Sequence, residues 1–167
     1  LLASAPIRRW RDVRPDAPGA AIFVHGYLAG AAVLDPLRQH VHRALPIATQ
    51  AFQYSPLRSF ASVRDQLLER AEEFAAGRPV TLIGHSLGGL LVRSIGAELG
   101  AVRIITLATP HHGTPAARGV PGDLARALRP GSPELRGLPD HDEHIAIFGR
   151  HDTVVDLETS QPKNARV

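Results

Sequence analysis

The chain has 167 residues, 44% of them hydrophobic and 21% charged, a balance that fits a single globular domain with a sizeable core. Its net charge of +3 comes from scattered arginines, with the nearest thing to a run at residues 8–14, so the composition points away from a nucleic-acid binder and towards a solvated face. There is no cysteine, which excludes disulfides, and no apolar stretch reaches the roughly 18 residues of a membrane span.

Residues 20–26, AAIFVHG, form a short apolar run closed by glycine, the pattern of a buried strand. Val33, Leu37, Val41 and Leu45 recur at helical spacing and predict a helix over 33–45. Residues 46–54, PIATQAFQY, read as a more polar strand placed nearer an edge. An amphipathic helix is predicted over 60–76, with Val63, Leu67, Ala71 and Phe74 on one face and Arg64, Glu69, Arg70 and Glu73 elsewhere. A strand at 79–85, a helix at 87–99 and a strand at 102–108 follow. A Gly/Pro-rich stretch then covers 110–140, with a short helical piece around Asp123–Leu128, before a last strand at 144–149. Strands alternating with helices predict the α/β class, a mainly parallel sheet with helices on both faces. We expect one domain over 1–167, with 110–140 as a lid-like insertion, because long irregular segments inside compact domains tend to be functional.

One serine stands out. Gly84-His85-Ser86-Leu87-Gly88 joins a predicted strand directly to a predicted helix, which places Ser86 on a sharp elbow above the C-terminal edge of the sheet. Glycines two residues before and two after remove side chains where strand and helix crowd together. A serine that merely caps the helix would also suit this position. As a nucleophile it needs a base, and its acyl-transfer intermediate needs hydrogen-bond donors for an oxyanion. Leu87 offers one backbone N–H, and Tyr27, just after His25-Gly26, offers the second. His25 itself reads as a residue that orders its loop.

The segments VHGYLAG, LIGHSLGGLLVR, ITLATPHHGTP, RPGSPELRGL and IFGRHDTVVD, spread over residues 20–156, resemble the bacterial lipases and esterases of the α/β-hydrolase superfamily, in that family's order. The resemblance implies an α/β-hydrolase core, here lacking the last strand and helix. It implies a Ser-acid-His triad that cleaves carboxylic esters, lipid esters among them, with no cofactor or metal. It puts the acid at Asp152, beside the end of the elbow strand, with Asp156 as the fallback. Acyltransferases and thioesterases share these motifs, and a non-catalytic acyl-binding relative would keep the elbow.

In that family the histidine follows the acid. Here all nine histidines precede Asp152. We therefore expect the natural chain to continue past Val167, as the lack of any methionine also suggests for its start. His111 or His112 would be the substitute bases; His151, next to the acid, should point away from it. Ala3-Ser4-Ala5 near the start fits a signal-peptide cleavage pattern, which leaves a secreted and a cytoplasmic location both open. Without a following strand, 144–149 is expected to be an exposed apolar edge on which the chain would form a homo-oligomer. The pairs His40/His42 and His141/His144 have metal-like spacing but lack a third ligand.

Overall fold

Five strands run parallel, and a sixth pairs the other way at one edge. The computed structural model describes residues 11–12, 14, 16–149, 152, 155, 161–162 and 165–166. Among these, the strands are β1 (Arg11–Asp12), β2 (Ala20–Val24), β3 (Ala48–Phe52), β4 (Val80–His85), β5 (Arg103–Leu107) and β6 (His144–Ile147), in the spatial order β1-β3-β2-β4-β5-β6. β3 therefore sits one place in from the edge, which β1 occupies by pairing antiparallel at Arg11–Gln50 and Asp12–Thr49. At two residues, β1 is too short for its own sequence to announce.

Alternation along the strands divides the core. Ile22, Val24, Leu82 and Ile104 face one side, under helices α2 (Phe60–Ala75) and α3 (Leu87–Leu99). Ala21, Phe23, Ala51 and Ile83 face the other, where Leu34 and Val41 pack. Burial on both faces is why β2 and β4 read as nearly continuous apolar runs. α2 matches its predicted face: Val63, Leu67, Ala71 and Phe74 are all buried, the three larger ones stabilising by roughly 1.5–3 kcal/mol each. Ser59 caps it by accepting from the Ser62 N–H, and it ends where Ala76 turns left-handed at φ 48°.

The first helix departs from its predicted pattern. A 3-10 turn fills Ala31–Leu34 and α1 runs over Asp35–Ala44. Val33, Leu37 and Leu45 are 59%, 37% and 49% exposed, while Leu34 and Arg38 are buried. Positions 34 and 38 are buried in place of 33 and 37, while Val41 keeps its predicted inward place and is partly buried. Arg38 enters the interior because its charge is matched there: it pairs with Asp12 and Asp35 and donates to Thr49 Oγ1 at 3.1 Å.

Residues 110–140 carry a 3-10 turn (Pro115–Ala117) and two short helices, α4 (Asp123–Ala127) and α5 (Pro133–Arg136). The Phe60 N–H donates to Asp123 Oδ2 at 2.9 Å, anchoring α4 to the start of α2. β6 stops at Ile147, two residues earlier than predicted. Its outer edge is partly covered: Arg166 N donates to the His144 carbonyl and Ala146 N donates to the Arg166 carbonyl, a parallel bridge that occupies two edge groups. Among the described residues no helix is long and apolar enough to cross a membrane.

Candidate active site

Ser86 stands between β4 and α3 with φ 53° and ψ −121°, a conformation that costs a non-glycine residue of order 1–3 kcal/mol. Its N–H donates to the Leu107 carbonyl of the neighbouring strand at 2.9 Å, which pins the elbow to β5. Close approach explains the flanking glycines: a Cβ on Gly84 would run into the backbone of Gly88, and one on Gly88 into the carbonyls of Val24 and His25.

The capping alternative fails on geometry. Ser59 and Ser132, at the starts of α2 and α5, both accept a bond from the first turn of their helix, whereas the Ser86 hydroxyl makes no such bond. It opens instead onto a hollow of about 240 Å³. Tyr27 and Pro110 form part of that hollow's wall, and Thr114, Ala117, Val120 and Leu128 from the 110–140 segment form much of the rest. Leu87 opens α3, so its N–H belongs to the first-turn donors that have no acceptor inside the helix, at the positive end of the helix dipole. Tyr27 lies in the turn after β2, where Leu28 takes φ 54°. The Tyr27 hydroxyl donates to the Pro121 carbonyl at 3.2 Å, joining this turn to the covering segment.

That turn is braced from the segment just after β3. His25 Nδ1 lies 2.9 Å from the Gly26 carbonyl, its ring stacks on Tyr54, and the Tyr54 hydroxyl donates to the His25 carbonyl at 2.9 Å. Burial pushes the His25 pKa down, against the raising effect of its bond to Gly26 O, and pushes the Tyr54 phenol up. His25 thus has the loop-ordering role expected of it. Tyr54, its partner, carries no local motif that could have revealed it.

Asp152 lies past the end of β6, with its N–H donating to the Gly149 carbonyl at 3.3 Å and Oδ1 accepting from Val155 N at 3.0 Å. Asp152 is not beside the elbow strand as expected: β4 is flanked by β2 and β5, and β5 separates it from β6. The Asp152 charge still reaches the elbow, since it raises the pKa of His85 against a larger lowering by burial. The His85 ring packs close to Gly26, beside Ser86, and its Nδ1 is buried with no partner among the described residues. Asp156 and His151 lie outside the described residues.

Neither proposed substitute base is free to act on Ser86. His111 is buried, with Arg93 Nη1 3.0 Å from its Nδ1 and Thr106 Oγ1 3.1 Å from its Nε2. Because arginine only donates, Nδ1 must accept and Nε2–H must donate, and the Thr106 hydroxyl is then left to donate to His144 Nε2 at 3.0 Å. Burial first, then the Arg93 charge, lowers the His111 pKa to about 2, and the same two causes lower that of His144 to about 4. His111 is therefore a neutral packing residue with both nitrogens engaged. His112 points elsewhere: its Nε2 meets the Gln161 carbonyl at 2.9 Å, and with His111 it lines a separate hollow beside Gly131 and Leu135. His141, of the metal-like pair with His144, has Nε2 2.8 Å from the Ala101 carbonyl, so both members have hydrogen-bond partners.

The fold has solved counterparts. The mature lipase BlEst2 of Bacillus licheniformis is similar with a TM-score of 0.67 at 16% identity, over 92% of this chain and 83% of that one. Phospholipase PlaB from Legionella pneumophila, in complex with thio-NAD, gives 0.64 at 20%, over 78% of this chain and only 37% of that one. XC6422 from Xanthomonas campestris, a serine hydrolase without lid, gives 0.60 at 14%, over 92% and 72%. At these identities the likeness is one of fold. No curated protein matches the chain. The family model for the alpha/beta hydrolases matches residues 21–163. That match begins inside β2, takes in the elbow and runs beyond Asp152, and the chain belongs to the alpha/beta hydrolase family.

Proposed function

We propose that this protein hydrolyses carboxylic esters through Ser86. The observation that carries the reading is the elbow itself: a serine at φ 53°, with no capping bond, facing an apolar hollow at the N-terminus of α3. Ser86 Oγ forms a bond to the ester carbonyl carbon as its proton passes to a histidine. The C=O electrons move onto oxygen, where the N–H groups of Leu87 and Tyr27 are the donors that meet the charge. The carbonyl re-forms as the C–O bond to the alcohol breaks, and the histidine returns the proton to the leaving oxygen. Water then repeats the sequence on the acyl-serine. Asp152 orients the histidine.

That histidine is not His111, whose nitrogens are both engaged, nor His112, which lines another hollow. The reading therefore assigns the base to neither of them. The acyl group would lie in the hollow under residues 114–128, and lipid esters are substrates only if their acyl part fits there.

Fluorophosphonate labelling of the natural protein, followed by peptide mapping, tests the mechanism. The label should be found on Ser86 and be lost in Ser86→Ala. A natural protein that takes no label, or takes it elsewhere, overturns the reading in favour of a non-catalytic relative.

A further inference from the structure

We infer that the hollow beside Ser86 takes only short, uncharged acyl groups and that Ala125 and Val120 set this limit. The inference rests on the proposed role of Ser86 only for which end of the acyl group enters first.

Charge is excluded by the lining. Pro110, Ala116, Ala117, Val120, Ala125 and Leu128 are apolar, and among the described residues no ionisable side chain other than the Tyr27 phenol lines the hollow. The two hydroxyls besides Ser86 are engaged: Tyr27 donates to the Pro121 carbonyl, and Thr114 Oγ1 accepts from Ala116 N at 3.3 Å. A carboxylate or ammonium on the acyl tail would be desolvated without a partner, at a cost that chain burial does not repay.

Length is limited by volume and by how the wall is held. At about 240 Å³ the hollow falls below the roughly 300–1,000 Å³ of sites that take drug-sized ligands. Its wall is tied internally and to the body of the fold. Thr114 N donates to the Leu128 carbonyl at 2.8 Å, and Arg129 donates to the carbonyls of Ala117 and Val120 at 3.2 and 3.0 Å. The bond from Phe60 N to Asp123 holds α4 against α2. A longer chain could not enlarge the hollow without breaking these bonds. Ala125 is 1% exposed, so a larger side chain there has nowhere to go but the hollow. Val120 is half-buried, so trimming it enlarges the hollow at little cost to the core.

Titration of the ¹⁵N-labelled chain with butanoate, hexanoate and dodecanoate, followed by NMR, requires no reaction to occur. Butanoate and hexanoate should shift the amides of Thr114, Ala117 and Ala125 to saturation. Dodecanoate should bind there about tenfold or more weakly than hexanoate. Ala125→Leu should lose hexanoate by a similar factor, and Val120→Ala should narrow the gap between hexanoate and dodecanoate. If Ala125→Leu does not fold, the half-buried Val120→Ala still tests the wall. Dodecanoate binding as tightly as hexanoate, no shift with any of the three, or a folded Val120→Ala with an unchanged gap overturns the inference. A length limit without Ser86 labelling would remove the hydrolase reading and leave this one standing; labelling without a length limit would do the reverse.

Discussion

The imidazole of His25 lies flat on the ring of Tyr54, with centroids 4.1 Å apart and planes within 5° of parallel. Since the Tyr54 hydroxyl also donates to the His25 carbonyl, the turn that carries Tyr27 is held from just beyond β3 by the ring and the hydroxyl of one side chain. Tyr54→Phe keeps the stack and leaves a buried carbonyl without its donor. We expect a loss of about 1–3 kcal/mol in urea unfolding. An unchanged midpoint would show that the stack alone holds the turn.

Ser86 carries backbone strain that glycine would not feel. Ser86→Gly should therefore stabilise the fold by about 1 kcal/mol while abolishing fluorophosphonate labelling. Ser86→Ala keeps the strain and should abolish labelling with no such gain. Thermal melts of the two variants side by side read the difference directly. Equal melting temperatures would mean that the elbow is relaxed in solution.

Acid should destabilise the fold through its buried histidines. The native pKa values of His111 and His144 are lowered to about 2 and about 4 from the 6.5 of an unfolded histidine. Below pH 6.5 the unfolded chain takes up protons that the native state refuses, so stability present above 6.5 is lost as pH falls. Each of the two costs about 1.4 kcal/mol per pH unit, His144 down to about pH 4 and His111 further, with His25 and His85 acting in the same direction. Urea midpoints measured from pH 7 to 4.5 should fall steeply, and His144→Gln should reduce the slope by about one proton. A flat profile would mean that these rings are solvated.

A protein of these 167 residues alone contains no histidine after Asp152. Removing the histidine of such a triad costs about 10⁶ in turnover, with roughly 10³–10⁴ over water retained. Its esterase rate on p-nitrophenyl butanoate should fall in that residual range, and added imidazole should raise the part that Ser86→Ala removes. A rate typical of an intact esterase, without imidazole, would show that one of the present histidines reaches Ser86 after all.

Much of this site is legible in the sequence because its signals are local. The elbow needs five consecutive residues, and the face of α2 needs four apolar positions in one helical row. What the sequence hides is paired at a distance. Arg38 reads as a surface residue until Asp12, 26 positions earlier, is seen to neutralise it inside, so that Arg38 and not Leu37 takes the buried side of α1. Arg93 likewise looks like the polar face of α3, yet it fixes the tautomer of His111, 18 positions away. His111 attracts attention as a base for the same reason it is not one: its chemistry is consumed in a network that no local spacing records. Asp152 lies between these cases. Its order after Ser86 can be read, but β5, the strand that separates them in the sheet, comes from topology.

The bond between the Tyr27 hydroxyl and the Pro121 carbonyl makes two parts of the mouth move as one. Residues near Pro121 cannot lift to admit a substrate unless that bond breaks or the turn at 27–28 travels with them. Entry is thus mechanically coupled to the loop whose N–H is proposed to receive the oxyanion. In the proposed mechanism, displacing Pro121 and keeping the Tyr27 N–H in place are therefore competing demands on one hydrogen bond.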